Sequence, residues 1–282
     1  ADTDPAAMRG TAWLARRLAF TTLPSVESLA VVRGQKAEGD VAARQPFRGF
    51  GAPLIGLGAG EAVVASAPAE SFFRGALANV ATVRALPALP QTGPELRRLA
   101  QTLGAGADSL FLGAAASEAA VKAMDLSATA VIAFATHGLL SGELPGLAEP
   151  ALVMTPPDIA TPEDDGLLTA SEVAGLKLSA DWVLLSACNT AGSDGEPGAE
   201  GLSGLARAFL YAGARSILVS HWPVRDDAAA RLTTGAIAAM GDGVGRSEAL
   251  RRAMLALMED KSDLSLAHPS AWAPFVVVGE GA

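Results

Sequence analysis

The chain has 282 residues, half of them hydrophobic and only 5% aromatic, so Ala, Leu, Val and Gly must fill whatever core it forms. Its 30 acidic and 21 basic side chains leave a formal charge of −9 with no basic run, which argues against nucleic acid as a direct partner. One cysteine excludes an internal disulfide and a multi-cysteine zinc site, three scattered histidines make no metal set, and no uncharged apolar stretch reaches the ~18 residues of a membrane span.

Residues 1–46 are mixed in character and read as an N-terminal extension packed on, or leading into, a domain over 47–282. In the extension, Ala6–Arg17 is expected as a helix, Leu18–Leu23 as an extended piece and Gly34–Gly39 as a turn. Phe47–Leu57 carries short apolar runs broken by glycines, Ala59–Glu70 is a small-residue loop, and Val80–Leu89 reads as extended. In TGPELRRLAQTLG (92–104), Pro94 suits a first helical position, Glu95 the positive helix end and Gly104 the stop, with Leu96, Leu99 and Leu103 on one face. A short strand over Asp108–Leu112 and a helix over Ser117–Met124 follow.

AVIAFATHG (130–138) and WVLLSA (182–187) are continuous apolar runs, as strands buried on both faces require. Between them TASEVAGL (169–176) carries a capping box, Thr169 to Glu172. GLSGLARAFLYAG (201–213) reads as a helix stopped by Gly213, RSILVS (215–220) as a strand, residues 226–240 and 247–258 as helices, and PFVVVG (274–279) as a last strand. Strands alternating with helices over short connections predict an α/β domain with a mainly parallel sheet.

Ligands of such sheets bind outside the carboxyl ends of the strands. Two reactive side chains fall at such ends, His137 and Cys188, 51 residues apart with the histidine first. An imidazole near a thiol accepts its proton or stabilises the thiolate, and later protonates a leaving amine. Backbone N–H groups of Gly138 and Cys188 would make an oxyanion hole. A caspase signature also sets its histidine about 50 residues before an Ala-Cys dipeptide, here Ala187-Cys188. Taken one at a time, Cys188 also reads as a small core residue and His137 as a strand-end histidine bonded to backbone.

FATHG, DDGLLTASEVAGL, LLSACNTAG, GLSGLARAFLYAGARSILVSHWPV and HPSAWAPFVVVGE, spread from about residue 20 to the end, resemble the CHAT domain, a bacterial branch of the caspase-like (clan CD) cysteine peptidases. The resemblance implies a caspase-like three-layer α/β/α sandwich and a cysteine endopeptidase with the dyad His137 and Cys188 and no cofactor. It implies a protein or peptide substrate and a regulatory region, often of TPR repeats, that this chain lacks. It also assigns SHW, Ser220, His221 and Trp222, to the loop lining the substrate groove, and Ser186, two before the cysteine, to the first specificity pocket. Here that position is uncharged, and Asn189-Thr190-Ala191 stands where Glu-Thr-Gly is common after the cysteine. Asp164 and Asp165 read first as a solvated turn before Gly166; the rival reading makes Asp165 an acidic pocket for a basic substrate residue. Glu200 either caps the following helix or reaches into the groove. The polar, glycine-rich stretch Thr190–Glu200 stands where caspase-like enzymes carry an activation loop. The rival functional expectation is a catalytically silent interaction module of the same fold; an acyltransferase or amidase using the same thiolate is a third. No secretory leader is read, a free thiol fits a reducing, cytoplasmic compartment, and a start at Ala1 reads as that of a fragment or processed piece.

Overall fold

The computed structural model describes residues 4–23, 44–56, 73–74, 77–141, 147–187 and 204–282. The turn expected over 34–39, the loop over 59–70, Cys188, the stretch 190–200 with Glu200, and the first three residues of the helix over 201–213 lie outside them. No helix among the described residues is long and apolar enough to cross a membrane.

The main sheet has seven strands in the order β1-β12-β11-β10-β6-β2-β5. They are β1 (Thr21–Thr22), β2 (Gln45–Gly51), β5 (Leu110–Leu112), β6 (Thr129–Ala135), β10 (Trp182–Ser186), β11 (Ser216–Ser220) and β12 (Phe275–Gly279). Every pairing is parallel except β11 with β12. A short hairpin, β3 (Phe73–Arg74) with β4 (Leu77–Ala78), and a small antiparallel sheet of β7 (Gly138–Leu139), β8 (Ala151–Val153) and β9 (Leu167–Thr169) stand apart from it.

Alternation along the central strands assigns each face of the sheet its own core. Ile132 and Phe134 of β6, with Val183 and Leu185 of β10, pack on α4 (Glu118–Ala123), α5 (Ala170–Ala174) and α6 (Gly204–Tyr211). Val131, Ala133 and Ala135, with Trp182 and Leu184, pack on α3 (Thr92–Thr102), α7 (Asp226–Met240) and α8 (Arg246–Glu259). Helices therefore cover both faces, which is the three-layer α/β/α arrangement expected. Both faces being covered is also why these strands read as unbroken apolar runs.

Two glycines set close approaches. Gly213 ends α6 at φ 113°, and a Cβ there would sit 2.2 Å from the Leu178 carbonyl. A Cβ at Gly51, at the end of β2, would meet the Ala135 carbonyl at 2.4 Å.

Two expectations change. Val80–Leu89 is not extended: Val80–Arg84 is a helix, α2, because the Asn79 side chain accepts the Ala81 N–H and caps it. The β-branched Val80, Thr82 and Val83 mimic a strand, but Val83 instead fills a small cluster with Ile55, Leu86 and Leu147. The helix expected over Ala6–Arg17 is confined to α1 (Pro5–Arg9), with a single 3-10 turn over Leu14–Arg16 after Gly10 interrupts it. The last helix, α9 (Pro269–Trp272), precedes β12 and is capped by the His268 side chain.

Candidate functional site

β6 and β10 are parallel neighbours whose register runs from Trp182 opposite Val131 to Ser186 opposite Ala135. The strands thus finish level, and His137 and Cys188 each follow two residues later in sequence. The Thr136 N–H continues the ladder to the Ser186 carbonyl at 3.3 Å.

The corner at His137 is fixed from three directions. The Thr136 hydroxyl donates to the Val153 carbonyl, and the Val153 N–H donates to the His137 carbonyl at 2.9 Å. The imidazole Nε2 lies 2.7 Å from the Pro87 carbonyl oxygen, in the turn between α2 and α3. A carbonyl only accepts, so Nε2 carries the hydrogen and the neutral ring keeps its lone pair on Nδ1. Burial pushes this imidazole below its ordinary pKa, against the upward pull of the Pro87 bond and of Asp226. Asp226 opens α7, and its carboxylate accepts the Gln91 N–H at 2.8 Å. One turn, 85–91, thus holds both the ring and the acid that faces it.

The other named residues divide into two sets. Ser186 and Ser220 converge on the end of β10: the Ser220 hydroxyl donates to the Ala187 carbonyl at 2.6 Å, and the Ser186 hydroxyl donates to Glu95 Oε2 at 3.1 Å. Gly138 opens β7 directly beside His137 and pairs with Leu152. His221, Trp222 and Asp165 are held elsewhere. The His221 N–H reaches the Pro274 carbonyl, just before β12, at 2.8 Å, and the Trp222 indole N–H reaches the Ser270 carbonyl in the helix over 269–272 at 3.2 Å. His221 there lines an apolar cavity of about 280 Å³ with Leu18, Phe20, Leu250, Met254 and Phe275, and burial lowers its pKa. Asp165 accepts the N–H groups of Ala78 and Leu167, at 2.8 and 3.1 Å, as a turn-forming aspartate does. Glu172 closes the capping box with Thr169, as its spacing predicts.

Sequence reading missed two participants. The Pro87 carbonyl has no residue-type signature. Glu95, which by sequence suits the positive helix end, is buried and reaches across to β10. Its spacing did carry the signal, since Glu95 stands four residues before Leu99 on the apolar face of α3.

A family model described as the CHAT domain matches residues 3–280, nearly the whole chain. The chain belongs to the CHAT domain family. The match begins upstream of the motifs quoted above and takes in α1 and β1. Mouse (Mus musculus) tetratricopeptide repeat protein 28 is 37% identical over 113 residues, 40% of this CHAT domain and 4% of that protein. Its human (Homo sapiens) counterpart is 36% identical over 118 residues, 42% of this chain and 5% of that one. The chain therefore spans only a small fraction of the length of these curated relatives. Among solved structures, the Arg-specific cysteine proteinase gingipain R superposes with a TM-score of 0.46 and 12% identity, over 67% of this chain and 42% of that one.

Proposed function

We propose that this CHAT domain is a cysteine endopeptidase in which Cys188 is the nucleophile and His137 the general base and acid. The observation that carries the reading is the oriented imidazole: Nε2 is committed to the Pro87 carbonyl, which leaves Nδ1 as the basic nitrogen at the carboxyl end of β6, beside β10. A ring whose pKa is lowered is neutral near pH 7 and able to accept a thiol proton. The thiolate sulfur attacks the scissile carbonyl carbon, and the carbonyl oxygen takes the negative charge, held by the N–H groups of Gly138 and Cys188. The C–N bond then breaks as the imidazolium returns its proton to the leaving amine. Water, deprotonated by the same ring, cleaves the resulting thioester and frees the enzyme. Asp226, facing the ring, stabilises the imidazolium while it carries the proton. Ser186 and Ser220, buried under the end of β10, support the substrate groove from beneath. The TPR repeats in the names of the relatives support a partner or attached TPR region that governs access to the site.

The test is a peptide-library cleavage screen with the wild type beside Cys188→Ala and His137→Ala. Loss of ~10²–10⁴ in rate on removing the imidazole is expected, with no cleavage from Cys188→Ala. Cleavage that survives Cys188→Ala overturns the mechanism. Absence of cleavage together with a thiol that reacts no faster than a free cysteine identifies the silent interaction module instead.

A further inference from the structure

Glu95 sits in α3 with 1% of its surface exposed, beneath the end of β10. Its Oε2 accepts the Ser186 hydroxyl at 3.1 Å, and its Oε1 lies 2.5 Å from the Thr233 hydroxyl on α7. Among the described residues neither oxygen meets a cation. A buried carboxylate without one is costly.

Counting hydrogens decides which form fits. Thr233 has one hydroxyl hydrogen and three oxygens within reach: Glu95 Oε1, the Ala230 carbonyl at 3.1 Å and the Ala229 carbonyl at 3.2 Å. An ionised Glu95 makes all three acceptors that compete for one hydrogen. A neutral Glu95 donates from Oε1 to Thr233 Oγ, and Thr233 passes its own hydrogen to the backbone of α7. Ser186 donates to Oε2 in either form. The neutral carboxyl thus gains a bond: Thr233 accepts from Glu95 and also donates to α7, where beside an ionised Glu95 it would only donate.

The surroundings agree. From α7, Asp226 faces Glu95 with a further negative charge, Asp227 pairs with Arg225, and Arg231 pairs with Asp260. From β2, Arg48 lies over the Phe111 ring. β5, β6 and β10 carry no titratable residue, and Arg97, Arg98 and Asp108 are exposed.

We infer that Glu95 is a positioning residue of this site: its neutral carboxyl ties the end of β10 at Ser186 to α7 at Thr233, and loss of its proton leaves a buried charge without a cation, which strains that tie and slows the chemistry of the thiol two residues beyond Ser186. This rests on the peptidase reading above. α7 also carries Asp226 beside His137, so the tie joins the two halves of the dyad's support. Burial raises this carboxyl to about 7, which sets the change within the neutral range.

Cys188 is the only thiol, so iodoacetamide labelling of the whole chain reads it directly. Wild type, His137→Ala and Glu95→Gln are labelled at about pH 6 and about pH 8.5, on either side of the carboxyl's titration. Glutamine offers the same acceptor and a donor but never ionises. The rate of Glu95→Gln relative to wild type is expected near one at the lower pH and ~3-fold or more at the higher, where the wild type alone carries the buried charge. A ratio that stays flat while labelling is fast and His137-dependent overturns the inference and leaves the peptidase reading standing. Ordinary labelling that His137→Ala does not slow overturns the peptidase reading and this inference with it. A Glu95→Gln chain that fails to fold also overturns the inference, because glutamine can make both bonds of the neutral acid.

Discussion

Glu95 and Glu118 are both 1% exposed, and burial raises both carboxyls, yet they are provisioned in opposite ways. Glu118, at the start of α4, meets the Lys122 ammonium and accepts the N–H groups of Asp165 and Gly166 at 2.8 and 3.1 Å. Lys122 in turn bonds Glu172 at 2.6 Å and the Glu163 carbonyl at 2.9 Å. Every donor around Glu118 favours the charged form, and its task is to pin the 163–166 turn. Glu95 has only two hydroxyl partners, a negative neighbour and no cation among the described residues. Two buried acids of equal exposure thus differ in what they can do. Burial pushes both to about 7, opposed at Glu118 by an ammonium and backbone amides and at Glu95 by two hydroxyls alone. That difference lies in the donors around each acid, not in its depth.

The comparison can be broken at Glu118 first. Glu118→Ala should cost about 2–5 kcal/mol of stability, since it leaves the Asp165 and Gly166 amides without their acceptor while Lys122 keeps Glu172 and the Glu163 carbonyl; denaturant midpoints measure it. A loss within the range of a surface substitution would mean that the turn does not depend on Glu118. Next, Thr233→Val deprives neutral Glu95 of its acceptor and should lower stability by about 1–3 kcal/mol, while Thr233→Ser restores most of it. If serine fails to rescue, the methyl packing of Thr233 matters more than its hydroxyl.

Stability against pH then sharpens the contrast. Between the ordinary carboxyl value of 4.5 and about 7, the folded chain holds a proton on Glu95 that the unfolded chain has released. The folded state therefore binds more protons, and stability falls as pH rises through that window and recovers as pH falls. Glu95→Gln should flatten that part of the curve, read by urea denaturation at a series of pH values. An unchanged slope would show that Glu95 does not titrate there. The smallest effect is expected from Asp226→Asn. Removing a negative charge that raises the His137 pKa should move that histidine further down, as followed by NMR titration of its ring protons. An upward movement would place the two groups in a different relation.

Much of this molecule is local chemistry written in the chain. The runs AVIAFAT and WVLLSA form the paired central strands because both faces of the sheet are covered. The Thr169–Glu172 box caps a helix because both partners lie within one turn. Local signals misled where two of them competed. At 80–84, β-branched residues argued for a strand, and a single asparagine cap decided for a helix. Asp165 looked like either a solvated turn or a pocket acid, and the amides of Ala78 and Leu167 hold it as a turn.

The sequence by itself determined the alternation of strands and helices, the places of His137 and Cys188 just past two apolar runs, and the family, since each depends on residue type over a short window. Only the tertiary structure decided which oxygen orients the imidazole and which carboxyl lies beneath Ser186. Those partners come from Pro87 and Glu95, 50 and 91 residues away along the chain. Hydrogen bonds at such separations follow from how three layers stack, and no spacing in the chain encodes a distance across a core.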